Sequence, residues 1–166
     1  MMPAPRRKSS KRGASAPKGK LPVLVLNGPN LNMLGVRETK IYGKATLRDL
    51  DALCRKTAAD LNITVDCRQS NIEGELVSWV QQSRKTHSSI IINAGGYSHT
   101  SVALLDALLL SDLPVIEVHI SNIYGREHFR HSSYISKAAR GVIAGLGIEG
   151  YAFALQAMAK WISARR

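Results

Sequence analysis

The sequence predicts an α/β fold, a doubly wound five-stranded parallel sheet with helices on both faces, and three observations carry the prediction. From Leu21 onward, short β-rich apolar runs alternate five times with segments of helical period, the pattern of a parallel sheet flanked by helices. The central run Ser89 to Asn93 is built on three successive isoleucines, as a strand buried on both faces requires. The 166 residues are 45% hydrophobic, enough for one domain with a real core.

The first strand is expected from Leu21 to Asn27. Thr46 then caps a helix whose apolar stripe runs Leu47, Leu50, Cys54, Ala58, Leu61. Ile63 to Arg68 reads as the second strand. Ser70 and Glu73 have the spacing of a capping box for a helix with Ile72, Leu76, Trp79 and Val80 on one face. After the third strand and the turn Ala94-Gly95-Gly96, a helix is expected from about Thr100 to Ser111. Pro114 opens the fourth strand, which runs through Ile120, and Gly141 to Leu146 makes the fifth. A last helix turns Ile148, Ala152, Leu155, Ala159 and Ile162 inward. The expected wrapping of this (βα)5 chain is the flavodoxin-like order 2-1-3-4-5.

The net charge of +11 is unevenly placed. Residues 1–20 hold seven Lys/Arg and no acid, leaving sixteen basic against twelve acidic residues, a net of +4, for 21–166. The first twenty residues are rich in Pro, Ser, Gly and Ala and are expected to be a disordered basic tail, because they have little to bury against their ordering entropy. The catalytic or binding unit is therefore expected within 21–166. The longest apolar stretches are strand-sized, so no membrane span is expected and the protein is placed in the cytoplasm. Cys54 and Cys67 lack any CxxC spacing and read as reduced thiols. His128 and His131 lie three apart beside Glu127, without a further ligand at metal-site spacing.

In a doubly wound sheet, ligands sit beyond the carboxyl ends of the strands where the strand order reverses. Polar residues gather there: Asn27 and Asn30 after strand one, Asn93 at the end of strand three, His119 and Ser121 at the end of strand four. Gly145, Gly147 and Gly150 spell GxGxxG at a strand-to-helix turn, but no acidic residue stands about twenty positions on to hold a ribose. Close packing of helix on sheet accounts for those glycines. The stretch Asn27 to Gly43 is far longer than the usual two to six residues of a strand-to-helix connection. It carries Asn30, Arg37 and Tyr42 among glycine and proline hinges, which reads as an active-site lid.

A tyrosine acts as a base only as phenolate, and at a reference pKa near 10 roughly one in a thousand is ionised at neutral pH. Neighbouring guanidinium groups favour the anion. Arg37 is near in sequence, and Arg126 and Arg130 are the others expected to converge on the pocket. Alternation along strand four puts Glu117, His119 and Ser121 on one face, so Glu117 can orient His119 as a general acid. Asn93, His99 and the backbone around Ile120 and Ser121 offer donors to an anionic, hydroxylated ligand.

The runs LNGPNLNMLGVRETKIYG, IINAGGYSHTS and EVHISNIYGREHFRHSSY, followed by GVIAGLGIEGY, resemble the successive signatures of the type II 3-dehydroquinate dehydratases, in order and spacing, over about Leu21 to Ile162. The resemblance implies a flavodoxin-like subunit, a tetrahedral homo-dodecamer, no metal or organic cofactor, and dehydration of 3-dehydroquinate to 3-dehydroshikimate in the shikimate pathway. It implies Tyr42 as the proton acceptor at C2, Arg37 as the lid arginine favouring its phenolate, and Asn30 as holder of a water near the enolate oxygen. His119 is implied as the acid at the C1 hydroxyl, oriented by Glu117. Asn93, Ile120 and Ser121 are implied around the substrate carboxylate, His99 and Arg130 at the ring hydroxyls, Arg126 as a further pocket arginine, and Asp106 as reaching a neighbouring subunit's site. Thr39 and Lys40 depart from the family where proline is common, Ser132 stands where histidine is common, and the basic tail matches no family pattern.

Two readings compete: a flavodoxin-like module binding nucleic acid, or one carrying flavin. The body lacks a basic stripe with stacking aromatics, which disfavours nucleic acid. Strand one leads into a long lid rather than a short Ser/Thr-rich phosphate loop, which disfavours flavin.

Overall fold

A computed structural model describes residues 21–36 and 43–164. Five strands, β1 (Val23–Asn27), β2 (Val65–Gln69), β3 (Ser89–Asn93), β4 (Val115–His119) and β5 (Gly141–Ala144), form one parallel sheet in the order β2-β1-β3-β4-β5. The α-helices among the described residues are α1 (Leu47–Asp60), α2 (Glu73–Thr86), α3 (Val102–Ser111) and α4 (Glu149–Ala164). The expected flavodoxin-like order is thus the observed one. The basic tail, residues 1–20, lies outside the described residues.

Alternation in the buried strands divides the core into two apolar layers. Val23, Val25, Ile91, Ile116 and Val118 pack against Leu50 and Cys54 of α1 and Tyr151, Leu155 and Met158 of α4. On the other face, Leu24, Leu26, Ile90, Ile92 and Val115 meet Leu76, Val80, Leu104 and Leu108 of α2 and α3, together with Ile135.

The start of α1 follows its sequence signature. Thr46 Oγ1 accepts from the Asp49 backbone N–H at 3.2 Å, and the Asp49 carboxylate accepts from Thr46 N at 2.8 Å. At α2 the expected pairing of Ser70 with Glu73 is replaced. Ser70 accepts from Ile72 N at 2.9 Å and donates to Glu75 Oε2 at 2.5 Å. Ile72 becomes the N-cap and is 65% exposed, so it leaves the inward stripe assigned to it. In α4 the inward face centres on Tyr151, Ala154, Leu155 and Met158, while Ile148 and Ile162 are only partly buried.

Packing of helix on sheet explains only the last glycine of the GxGxxG run, Gly150, whereas Gly145 and Gly147 adopt left-handed backbone (φ 86 and 61) that favours glycine. A Cβ at Gly150 would stand 3.3 Å from Ile143 and 3.4 Å from Val118, so α4 lies almost on the sheet. Gly28 marks an even closer approach: its N–H donates to Asn93 O at 2.8 Å, and a Cβ would lie 2.4 Å from Ala94 O. The ends of β1 and β3 are thereby held backbone to backbone. Gly28→Ala is expected to lower unfolding stability by about 2 kcal/mol or more, since backbone rather than a flexible side chain must yield. A urea midpoint equal to wild type would count against that packing.

Candidate active site

The register of the sheet places Asn27 opposite Asn93, so polar residues meet at the carboxyl ends of the two central strands, where the strand order reverses. Beyond them opens a cavity of about 200 Å³, below the roughly 300–1,000 Å³ usual for drug-sized ligands. Asn30, Asn93, His99, His119, Arg126 and Arg130 line it, with Ile120 and Ser121 at its floor. Residues from three separate stretches of sequence, 29–34, 93–99 and 119–130, are thus brought to one cavity.

Each side chain is held in place by its own neighbours. Asn30 adopts a left-handed backbone (φ 68), which asparagine tolerates, and its N–H donates to Asn71 Oδ1 at 2.9 Å. Asn93, buried, accepts from Gly95 N at 3.2 Å. The His99 ring pairs through Nδ1 with Ser132 O at 2.8 Å and stacks on the His119 ring, centroids 6.4 Å apart. Arg126 donates to Ser121 Oγ at 3.3 Å, and Arg130 donates to Glu127 at 2.8 Å.

Glu117 is fully buried, and its Oε1 lies 2.7 Å from His119 Nε2. Two hydroxyls add to this: Ser133 Oγ donates to Oε1 at 2.6 Å, and Ser136 Oγ donates to Oε2. Burial works to raise the Glu117 carboxyl, but the hydrogen bonds from His119, Ser133 and Ser136 outweigh it and hold its pKa below the ordinary carboxylate value. The carboxylate is therefore an anion at neutral pH, paired with the histidine beside it. The sequence placed Glu117 and His119 together but carried no sign of the serines, which lie sixteen and nineteen residues beyond Glu117.

A second buried network underlies the cavity. Tyr151 Oη donates to Asn27 Oδ1 at 2.6 Å, with Asn93 beside the same hydroxyl. Burial pushes the Tyr151 phenol far above its usual pKa, only partly opposed by Asn93. Tyr151 is thus a neutral donor and not a base.

Asp106 lies exposed on α3 and does not line the cavity of its own subunit. Arg37 and Tyr42 lie outside the described residues. Leu31, Met33 and Leu34, just before them, form one wall of the cavity. Among the described residues, no group of three or more His, Cys, Asp or Glu is placed to hold a metal ion.

Residues 21–159 match the family model described as dehydroquinase class II. The chain is 60% identical over 139 residues to a 3-dehydroquinate dehydratase of Streptomyces avermitilis, covering 83% of this chain and 87% of that protein. It is 58% identical to the protein of the same name from Streptomyces coelicolor, covering 83% and 88%. The crystal structure of the type II dehydroquinase from Propionibacterium acnes superposes with a TM-score of 0.82 at 43% identity, covering 86% of this chain and 98% of that one. With the family match spanning nearly the whole described fold, and the cavity formed by three of the four stretches that carry the resemblance, this chain belongs to the class II dehydroquinase family.

Proposed function

We propose that this chain dehydrates 3-dehydroquinate to 3-dehydroshikimate in the shikimate pathway, by anti elimination through an enolate. The observation that carries the mechanism is the pairing of His119 with the buried Glu117 carboxylate at the edge of a small cavity ringed by amide and guanidinium donors. A β-hydroxy ketone loses an acidic α-proton, becomes an enolate, and then expels its hydroxyl as water. Base, acid and oxyanion support are separate tasks for separate groups.

In this reading Tyr42, as phenolate, takes the proton from C2, and Arg37 favours that phenolate. Asn30 holds a water against the enolate oxygen. His119, oriented by Glu117, gives a proton to the departing C1 hydroxyl. Asn93 and the Ile120–Ser121 pair hold the carboxylate, while His99, Arg130 and Arg126 meet the ring hydroxyls and remaining charge. Two observations support the placement of Tyr42. Tyr151, whose hydroxyl lies beside the cavity residue Asn93, is held neutral by burial, and Leu31, Met33 and Leu34, which line the cavity, come shortly before Arg37 and Tyr42 in sequence.

We also propose assembly into a homo-dodecamer. The outer face of α3 exposes Val102, Leu109 and Leu110 by 51–66%, and Tyr124 and Phe129 are exposed by 63% and 61%. Clustered apolar exposure of this kind marks an interaction surface. Asp106 lies on α3 among these residues, suited to reach a neighbouring copy's site. Cys54 and Cys67 are free thiols, which suits the reducing cytoplasm in which we place the enzyme.

The direct test follows the ultraviolet absorbance of the enone product when purified protein is given 3-dehydroquinate. No absorbance change at micromolar enzyme would overturn the assignment. Removing residues 1–20 is expected to leave both turnover and the assembled size unchanged. Loss of the oligomer on sizing would instead make the basic tail a structural element.

A further inference from the structure

The segment after β4 does more than contribute arginines to the cavity. Glu117 and His119 alternate with Ile116 and Val118 and so face the α2–α3 side of the sheet. There the chain from residue 132 to 138 covers them. Ile135, fully buried, is the anchor, packed in the same apolar layer as Ile92 and Leu104. Tyr134 N donates to Ser98 O at 2.8 Å, and the Ser132 carbonyl holds His99 Nδ1 at 2.8 Å.

Ser133 and Ser136 flank that anchor, and both hydroxyls point at Glu117. The Ser133 hydroxyl has no freedom to turn elsewhere. Its oxygen accepts from Ile135 N at 3.1 Å while its proton goes to Glu117 Oε1 at 2.6 Å. Ser136 occupies the other carboxylate oxygen, Oε2. Both carboxylate oxygens are therefore engaged by residues that do not line the cavity, and His119 Nε2 completes the set at 2.7 Å. A fully buried carboxylate without such donors would lose its fixed direction or take up a proton.

We infer that Ser133 and Ser136 are positioning residues: they fix the Glu117 carboxylate, which commits His119 Nε2 to Glu117 and leaves Nδ1 for the proton delivered to the leaving hydroxyl. The inference rests on the function proposed above. Neither serine lines the cavity, so neither touches substrate. Their removal acts on the step in which His119 delivers its proton and leaves the binding groups Asn93, Arg126 and Arg130 in place.

The test compares Ser133→Ala, Ser136→Ala, the double alanine variant and Ser133→Thr, which keeps the hydroxyl. We expect kcat to fall on the order of 10-fold in each alanine single and up to about 100-fold in the double, the scale of a misdirected catalytic group. KM should stay within about twofold of wild type, and Ser133→Thr should recover most of the lost kcat. A second readout needs no substrate: solid-state NMR of 15N-histidine-labelled protein, in which the His119 Nε2–H signal is expected to weaken or shift in the double variant. A double variant with wild-type kcat, or with its loss carried wholly by KM, overturns the inference. An unchanged His119 signal overturns it even if wild-type protein proves inactive on 3-dehydroquinate, an outcome that would fall on the proposed function instead.

Discussion

Tyr42→Phe is expected to lower turnover of 3-dehydroquinate by at least about three orders of magnitude, while the protein folds and assembles as wild type. The substitution removes one oxygen and keeps the ring, so the loss reports chemistry rather than packing. General base catalysis accounts for about 10²–10⁴-fold, and support of the developing enolate adds to it. Tyr151, whose hydroxyl lies beside the cavity residue Asn93, cannot substitute, because it is buried, holds its proton and already donates it to Asn27. A decisive companion measurement is exchange of the C2 hydrogen of substrate with deuterated solvent. Tyr42→Phe should abolish exchange along with turnover. Near-normal turnover in this variant would sink the assignment of the base.

His119→Ala is expected to fail at a different step. In the proposed mechanism it removes the donor that turns the leaving hydroxide into water, an effect of about 10²–10⁴-fold. With Tyr42 as the proposed base, proton abstraction at C2 is left intact, so solvent deuterium should still enter substrate while product formation is slow. KM should change little beside that loss, because the cavity retains its amide and guanidinium donors. Loss of exchange in parallel with turnover would show that His119 serves the first step and not the second. Glu117→Gln should follow His119→Ala in direction. The amide cannot replace the carboxylate whose oxygen now lies 2.7 Å from the imidazole Nε2, and it meets the two serine donors with one oxygen instead of two.

The residues proposed for these two roles stand out in the chain because their signals are local. Tyr42 stands in a connection too long for its fold, and Glu117 and His119 are two residues apart on one strand, where alternation sets them on one face. The same holds for the sheet. Three isoleucines in succession announce a strand buried on both faces, and Thr46 stands as the cap one residue before its helix begins. The Ser70–Glu73 pairing had equal local merit and did not form. Ser70 instead reaches Glu75, because the chain leaving β2 makes Ile72 the N-cap, and its side chain turns to solvent.

The sequence by itself determined the order of strands and helices, the apolar period of each, and the clustering of Asn30, Asn93, His99 and His119 near strand ends. Those features depend on spacings of a few residues, and the handedness and switch point of a parallel sheet follow from them. Tertiary structure alone decided that Ser133 and Ser136 meet Glu117, that Tyr151 reaches Asn27 across 124 residues of chain, and that Gly28 lies against the Ala94 carbonyl. No period marks such contacts. They arise when buried polar groups must find partners inside a closed core, and which partners they find depends on how the whole chain has packed.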